Sequence, residues 1–199
     1  MRNRLGLASL ALAVTLAGNA FAGPLEDAGA AYKRGDYATA MRLIRPVAEQ
    51  GNAAAQYNLG TMYYNGEGTR RDYAEALKWY RMAAEHSDVE SARRVGFMFA
   101  NGQGVPRNDA EALKWYRLAA DRGDAESQNN LGVIYSDGKG IPANLVEATK
   151  WFKVAAARFP ASEKDKRDKA MKNTELLAKK MTPTQVAEAD KLAREWKPK

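Results

Sequence analysis

Few side chains in this 199-residue sequence are equipped for covalent or metal chemistry. It has one histidine, His86, and no cysteine. A transition-metal site would have to rest on carboxylates alone, which are poor sole ligands for such ions. A nucleophile–base–orienter set cannot be assembled around one imidazole. His86 instead reads as a cation at the end of a helix, where the backbone dipole favours positive charge. The string Ser136-Asp137-Gly138-Lys139 fits the S-x-x-K of serine acylating enzymes. It crosses a glycine turn, though, and the companion S-D-N and K-T-G strings are missing. The pairs Gly66/Gly68, Gly102/Gly104 and Gly138/Gly140 could cradle a phosphate, but no strand precedes them and no Lys-Ser/Thr follows. They read as turns. No catalytic residue, metal ligand or cofactor is expected.

Trp79, Trp115 and Trp151 stand 36 residues apart. Stacked tryptophans could grip glycan rings. The competing reading is packing between repeats, since aromatic side chains bury large areas at such seams. The tryptophans belong to a recurring string: EALKWYR at Glu75–Arg81 and again at Glu111–Arg117, then EATKWFK at Glu147–Lys153. A fixed period of this size is the mark of a solenoid, in which stacked copies of one small unit form the core.

Each unit reads as helix, loop, helix. The first helix starts after Asn52, Asp88 or Asp124, whose side chains can cap free N–H groups. Ala55, Leu59 and Tyr63 give it one apolar face at helical period. The glycine pair ends it, because glycine tolerates a positive φ. The second helix starts with the capping-box pairs Asp72/Glu75, Asn108/Glu111 and Asn144/Glu147. Ala76, Tyr80 and Ala83 form its buried stripe. These markers divide the chain into a short first repeat at 23–51 and full repeats at 52–87, 88–123 and 124–159. Residues 160–199 then form two capping helices, with stripes Ala170, Thr174, Leu177, Met181 and Val186, Ala189, Ala193, Trp196. No stretch alternates like a strand.

Residues 1–22 read as an export signal: Arg2 and Arg4, an apolar run from Leu5 to Ala17, and Ala20-Phe21-Ala22 as the cleavage site. That run is too short to cross a bilayer about 30 Å thick. Cleavage after Ala22 would lower the net charge from +7 to +5 and leave a periplasmic or secreted chain with no stable membrane insertion. Most of the remaining charge lies at 163–199, with 11 basic and 7 acidic residues. Nearly neutral repeats exclude a nucleic-acid groove, which needs a basic stripe. Without disulfides, stability must come from packing.

The pattern A-x-x-x-L-G-x-x-Y, G-x-G, D-x-x-x-A-x-x-W-Y and A-A occurs as Ala55/Leu59-Gly60/Tyr63, Gly66/Gly68, Asp72/Ala76/Trp79-Tyr80 and Ala83-Ala84. It resembles the Sel1-like repeat family, a relative of the tetratricopeptide repeats. The resemblance covers Gly51 to Arg158 in three copies, with departures at Ser87, Ser91, Val95 and Phe152. It implies an all-α, right-handed α/α solenoid of helix pairs with a C-terminal helical cap. In such a fold the first helices line a concave face that serves as a scaffold. The ending M-T-P-T-Q…A-R-E-W is similar to the cap of exported bacterial members. Tetratricopeptide geometry then implies outward positions at Ala54, Tyr57, Thr61 and Tyr64, at Glu90, Arg93, Phe97 and Ala100, and at Glu126, Asn129, Val133 and Ser136. Tyr57, Thr61, Tyr64, Arg93, Phe97, Asn129 and Val133 are the expected partner-binding set. Exposed aromatics and arginine are the usual anchors.

Two functions are compatible with this reading. The first is a non-enzymatic scaffold that binds a protein or peptide of the cell envelope in the groove, with a glycan as the lesser alternative. The second is an envelope enzyme or cell-wall ligand binder, as implied by a cysteine-rich branch of the family linked to β-lactams. The cysteines of that branch are missing here.

Overall fold

The computed structural model describes residues 22–138 and 140–199. Apart from Ala22, the expected export signal lies outside the described residues. Among the described residues ten α-helices follow in order: α1 (Ala22–Lys33), α2 (Tyr37–Glu49), α3 (Ala53–Asn65), α4 (Tyr73–Glu85), α5 (Val89–Asn101), α6 (Asp109–Asp121), α7 (Ala125–Asp137), α8 (Leu145–Arg158), α9 (Lys164–Ala178) and α10 (Pro183–Glu195). A 3-10 turn at Ala161–Glu163 precedes α9. From α1 to α9 each helix packs on its neighbours in sequence. This is a solenoid of helix pairs, with no strand among the described residues.

Local chemistry fixes the helix ends. Asn52, Asp88 and Asp124 each accept a bond from the backbone N–H three residues on, at 3.0, 2.6 and 2.6 Å. Gly66, Gly102 and Gly138 end the same helices in the left-handed region. At the start of the second helices, the caps Asp72, Asn108 and Asn144 bind their N–H groups, but the glutamates do not reach back. Glu75 pairs with Lys78, Glu111 with Lys114 and Glu147 with Lys150, each three residues on in the repeated string. A nearby ammonium competes for the carboxylate and offers a charge-assisted bond. The one full capping box among the described residues joins Thr182 and Gln185.

The repeats stack around small residues. Leu59, Val95 and Leu131 are fully buried, as are Ala76, Ala83, Ala112, Ala119, Ala148 and Ala155 of the second helices. Gly96 lies against the Tyr116 ring, where an added Cβ would stand 2.8 Å from Cδ1. Gly60 meets Tyr80 and Gly132 meets Phe152 in the same way. The second loop glycine serves close approach as well as turn geometry: a Cβ on Gly104 would lie 2.5 Å from the Tyr73 backbone of the preceding pair. The loop thus touches the neighbouring unit through bare backbone.

The C-terminal helices do not pair with each other. Helix α9 sets Ala170 and Leu177 against the end of the stack, beside Phe152 and Phe159. Helix α10 lies on another side of α8, where Trp196 packs edge-on to Trp151 at 6.0 Å. Lys153 pairs with Asp190 there, and the backbone N–H of Lys199 donates to the Asp121 carbonyl at 2.7 Å.

Candidate functional site

The seven expected partner-binding residues lie on α3, α5 and α7, the first helices of successive pairs. Their environments differ. Tyr57 is half-buried, its ring 5.7 Å from that of Tyr80 and its hydroxyl pointing at Glu90. Burial, then the Glu90 charge, raises its pKa. Thr61 is half-buried and donates to the Tyr57 carbonyl at 3.0 Å. The Tyr64 hydroxyl donates to Gln103 at 3.0 Å, and its ring leans on Tyr73. Tyr57 and Tyr64 tie α3 to the next unit, whereas Thr61 stays within its own.

Arg93 is held more tightly. Its side chain is 20 % exposed and pairs with Glu90, Glu126 and Asp124. Glu126 also pairs with Lys166 of α9. A ladder of alternating charge therefore runs from α5 through α7 to α9. Burial acts to lower the Arg93 pKa, but the bond and charge of Glu90, with Glu126 and Asp124, outweigh it and hold the guanidinium charged. Burial raises the Asp124 carboxyl. At Glu126, burial acts upward, yet the Lys166 bond and the Arg93 charge take the carboxyl below its ordinary value. Arg93 has little free capacity left for a partner.

Phe97 and Val133 are different. They occupy the same position in successive repeats and are 40 % and 39 % exposed. Their helices are separated by one repeat step, so the two exposed side chains recur on the same face of the solenoid as an apolar strip at the repeat spacing. Thr61 occupies the matching place on α3, and Asn129 is half-buried one turn before Val133. Around the strip, Arg94 donates to Glu90 at 3.1 Å and the Asn101 amide donates to the Phe97 carbonyl. The roles of Gln103 and Lys166, and the pairing of Asp124 with Arg93, were absent from the sequence reading. The 36-residue spacing of Glu90 and Glu126 around Arg93 was the one signal for the ladder.

The tryptophans lie in the seams between repeats. Trp79 and Trp151 are buried and Trp115 is half-buried. Trp151 donates to Glu147 at 3.0 Å under the Lys150 and Arg117 cations. These faces are not open to a sugar ring. His86 is exposed at the end of α4. Among the described residues no group of three His, Cys, Asp or Glu could hold a metal ion, and no helix is long and apolar enough to cross a membrane. Ser136 is half-buried at the end of α7, and Lys139 lies outside the described residues. Two cavities, of about 490 and 310 Å³, lie between α8 and α10 and beside the ladder at Asp124 and Glu126. Neither is lined by Phe97 or Val133. The strip is an open surface suited to a polypeptide rather than to an enclosed small molecule.

Comparisons with known proteins agree with this architecture. The family model of the Sel1 repeat matches three times, over residues 53–88, 89–124 and 125–158. One similar solved structure is c5321, described as a protective antigen present in uropathogenic Escherichia coli strains and displaying an SLR fold. It is 27 % identical with a TM-score of 0.72, over 88 % of this chain and 37 % of that one. A Sel1 repeat protein from Oxalobacter formigenes is 26 % identical with a TM-score of 0.67, over 86 % of this chain and 68 % of its own. The chain thus spans little more than a third of the Escherichia coli protein's length. No curated protein matches the sequence significantly.

Proposed function

The chain belongs to the Sel1 repeat family, and on that premise we propose that it is a non-catalytic scaffold holding a protein or peptide segment across α3, α5 and α7. The supporting observation is the Phe97–Val133 strip, two large apolar side chains left exposed in register on adjacent repeats. The Tyr57, Tyr64 and Arg93 contacts stiffen the helices that present the strip, and a preorganised surface loses less entropy on binding. Arg2, Arg4, the Leu5–Ala17 run and Ala20-Phe21-Ala22 support export, and hence an envelope partner.

Binding is tested with purified protein bearing Phe97→Ala and Val133→Ala, separately and together, against proteins captured from the native cell. A true groove partner loses at least tenfold in affinity with the double variant, since truncating a central anchor costs about 2 kcal/mol. Capture unchanged by both substitutions rejects the groove. Export is tested by sequencing the N-terminus of the protein from the native cell. A chain beginning at Gly23 supports it, and a chain retaining residues 1–22 rejects it.

A further inference from the structure

The outward face of α9 combines charge and apolar surface in a way that capping alone does not require. The helix turns Ala170 and Leu177 toward α8. Away from that side Lys169, Lys172 and Leu176 fall within an arc of about 60° at 3.6 residues per turn, and Lys179 and Lys180 follow in the turn just past the helix end. All five are exposed. Leu176, at 48 % exposure, has Lys172 four residues before it and Lys179 and Lys180 three and four after. None of these lysines has a carboxylate partner among the described residues, whereas Lys164, Lys166 and Arg167 at the helix start are all paired. Asp165 is the one carboxylate in the arc, at its N-terminal end, and exposed Glu175 lies about 60° outside it.

An end cap needs a polar outer face to stop the stack, and a soluble surface mixes both signs. Four unpaired lysines around a half-exposed leucine call for a partner that is anionic outside and apolar beneath. The face is a helix ridge whose interior backbone groups are already bonded along the helix. It offers neither a sheet edge nor a groove to an extended acidic peptide. A broad planar surface can meet it. We propose that the outward face of α9 is a peripheral docking site for an anionic phospholipid bilayer, with the four lysines among the headgroups and Leu176 at the acyl boundary. No helix of the described residues could span that bilayer, so the contact is reversible. It is electrostatic for the most part and weakens as salt shortens the screening length.

Vesicle sedimentation of the full chain tests this, using phosphatidylcholine alone and phosphatidylcholine with one part in three phosphatidylglycerol. Each lysine near such a surface contributes about a fivefold gain in partitioning. The expected result is sedimentation with the anionic vesicles only. Lys172→Glu with Lys179→Glu should lower it by at least about 25-fold, and Leu176→Asp should weaken it further. The neutral pair Lys172→Gln with Lys179→Gln repeats the loss should the reversed pair fold poorly. Lys78→Glu with Lys114→Glu, the same charge change on α4 and α6, should leave binding intact. Equal binding to neutral vesicles, insensitivity to Lys172 and Lys179, or an equal loss in the α4/α6 control overturns the proposal. No sedimentation with anionic vesicles also overturns it, and polyglutamate binding that depends on Lys172 would then assign the face to an acidic polypeptide.

Discussion

Replacing Gly96 with alanine sets two opposing terms against each other. Alanine favours the helix by about 1 kcal/mol over glycine. The added methyl, however, would stand 2.8, 3.0 and 3.1 Å from Cδ1, Cε1 and Cγ of Tyr116. That ring is buried and cannot swing aside without disturbing α5 or α7. Overpacking of this kind costs about 1–3 kcal/mol, and three ring atoms within contact range place it toward the upper end. The net expectation is destabilisation of about 1–2 kcal/mol, or a melting temperature lower by about 3–6 °C for a chain of this size. Urea and thermal unfolding followed by circular dichroism measure it. The same substitution in a Tyr116→Leu background removes the clash and should leave only the helical gain, giving a coupling of about 2–3 kcal/mol between the sites. A Gly96→Ala protein as stable as the parent would refute the argument, as would an equal cost in both backgrounds.

Two further outcomes rest on particular residues. Ser87 is the one non-glycine with positive φ among the described residues, at 69°, where two earlier and later units have Gly51 and Gly123. Ser87→Gly should stabilise by about 0.5–1 kcal/mol, since the left-handed strain of about 1–2 kcal/mol exceeds the entropy that glycine adds to the unfolded chain; a lower melting temperature would contradict this. Glu126 has a folded pKa below its ordinary value of 4.5. The unfolded state therefore binds more protons in that window, and the Glu126 contribution is present above pH about 4.5 and lost as pH falls through the folded pKa. Asp124, raised by burial, acts in the opposite direction and is common to both proteins. Urea unfolding from pH 3 to 6 should show a flatter acid limb for Glu126→Gln than for the parent, and parallel curves would reject the role given to the ladder.

Features of the fold that depend on neighbours a few residues away were legible in the sequence. Asn52, Asp88 and Asp124 cap as their types and positions imply, and the glycines end the first helices where the 36-residue step puts them. The glutamates of the second-helix caps show the limit of such reasoning, because the lysine three residues on competes for the same carboxylate. Contacts across a repeat were harder to read. The state of Arg93 depends on Glu126 in the next unit, and that carboxylate also binds Lys166 beyond the last repeat. Residues 160–199 lack the period, so nothing in them showed that α10 would turn back along α8 and carry Lys199 to Asp121. On the candidate face, spacing identified which residues look outward but not which of them are already engaged. The hydroxyls of Tyr57 and Tyr64 reach Glu90 and Gln103 of the next unit, whereas Phe97 and Val133 carry no such group and stay exposed.

The measurement that bears most directly on the scaffold is photo-crosslinking in living cells, with a photoreactive residue in place of Phe97 and, as control, in place of the exposed Lys78 on α4. A groove-bound partner predicts one discrete adduct from position 97, missing at position 78, whose mass identifies the bound protein. The same adducts from both positions, or none from position 97, would contradict a partner held across α3, α5 and α7.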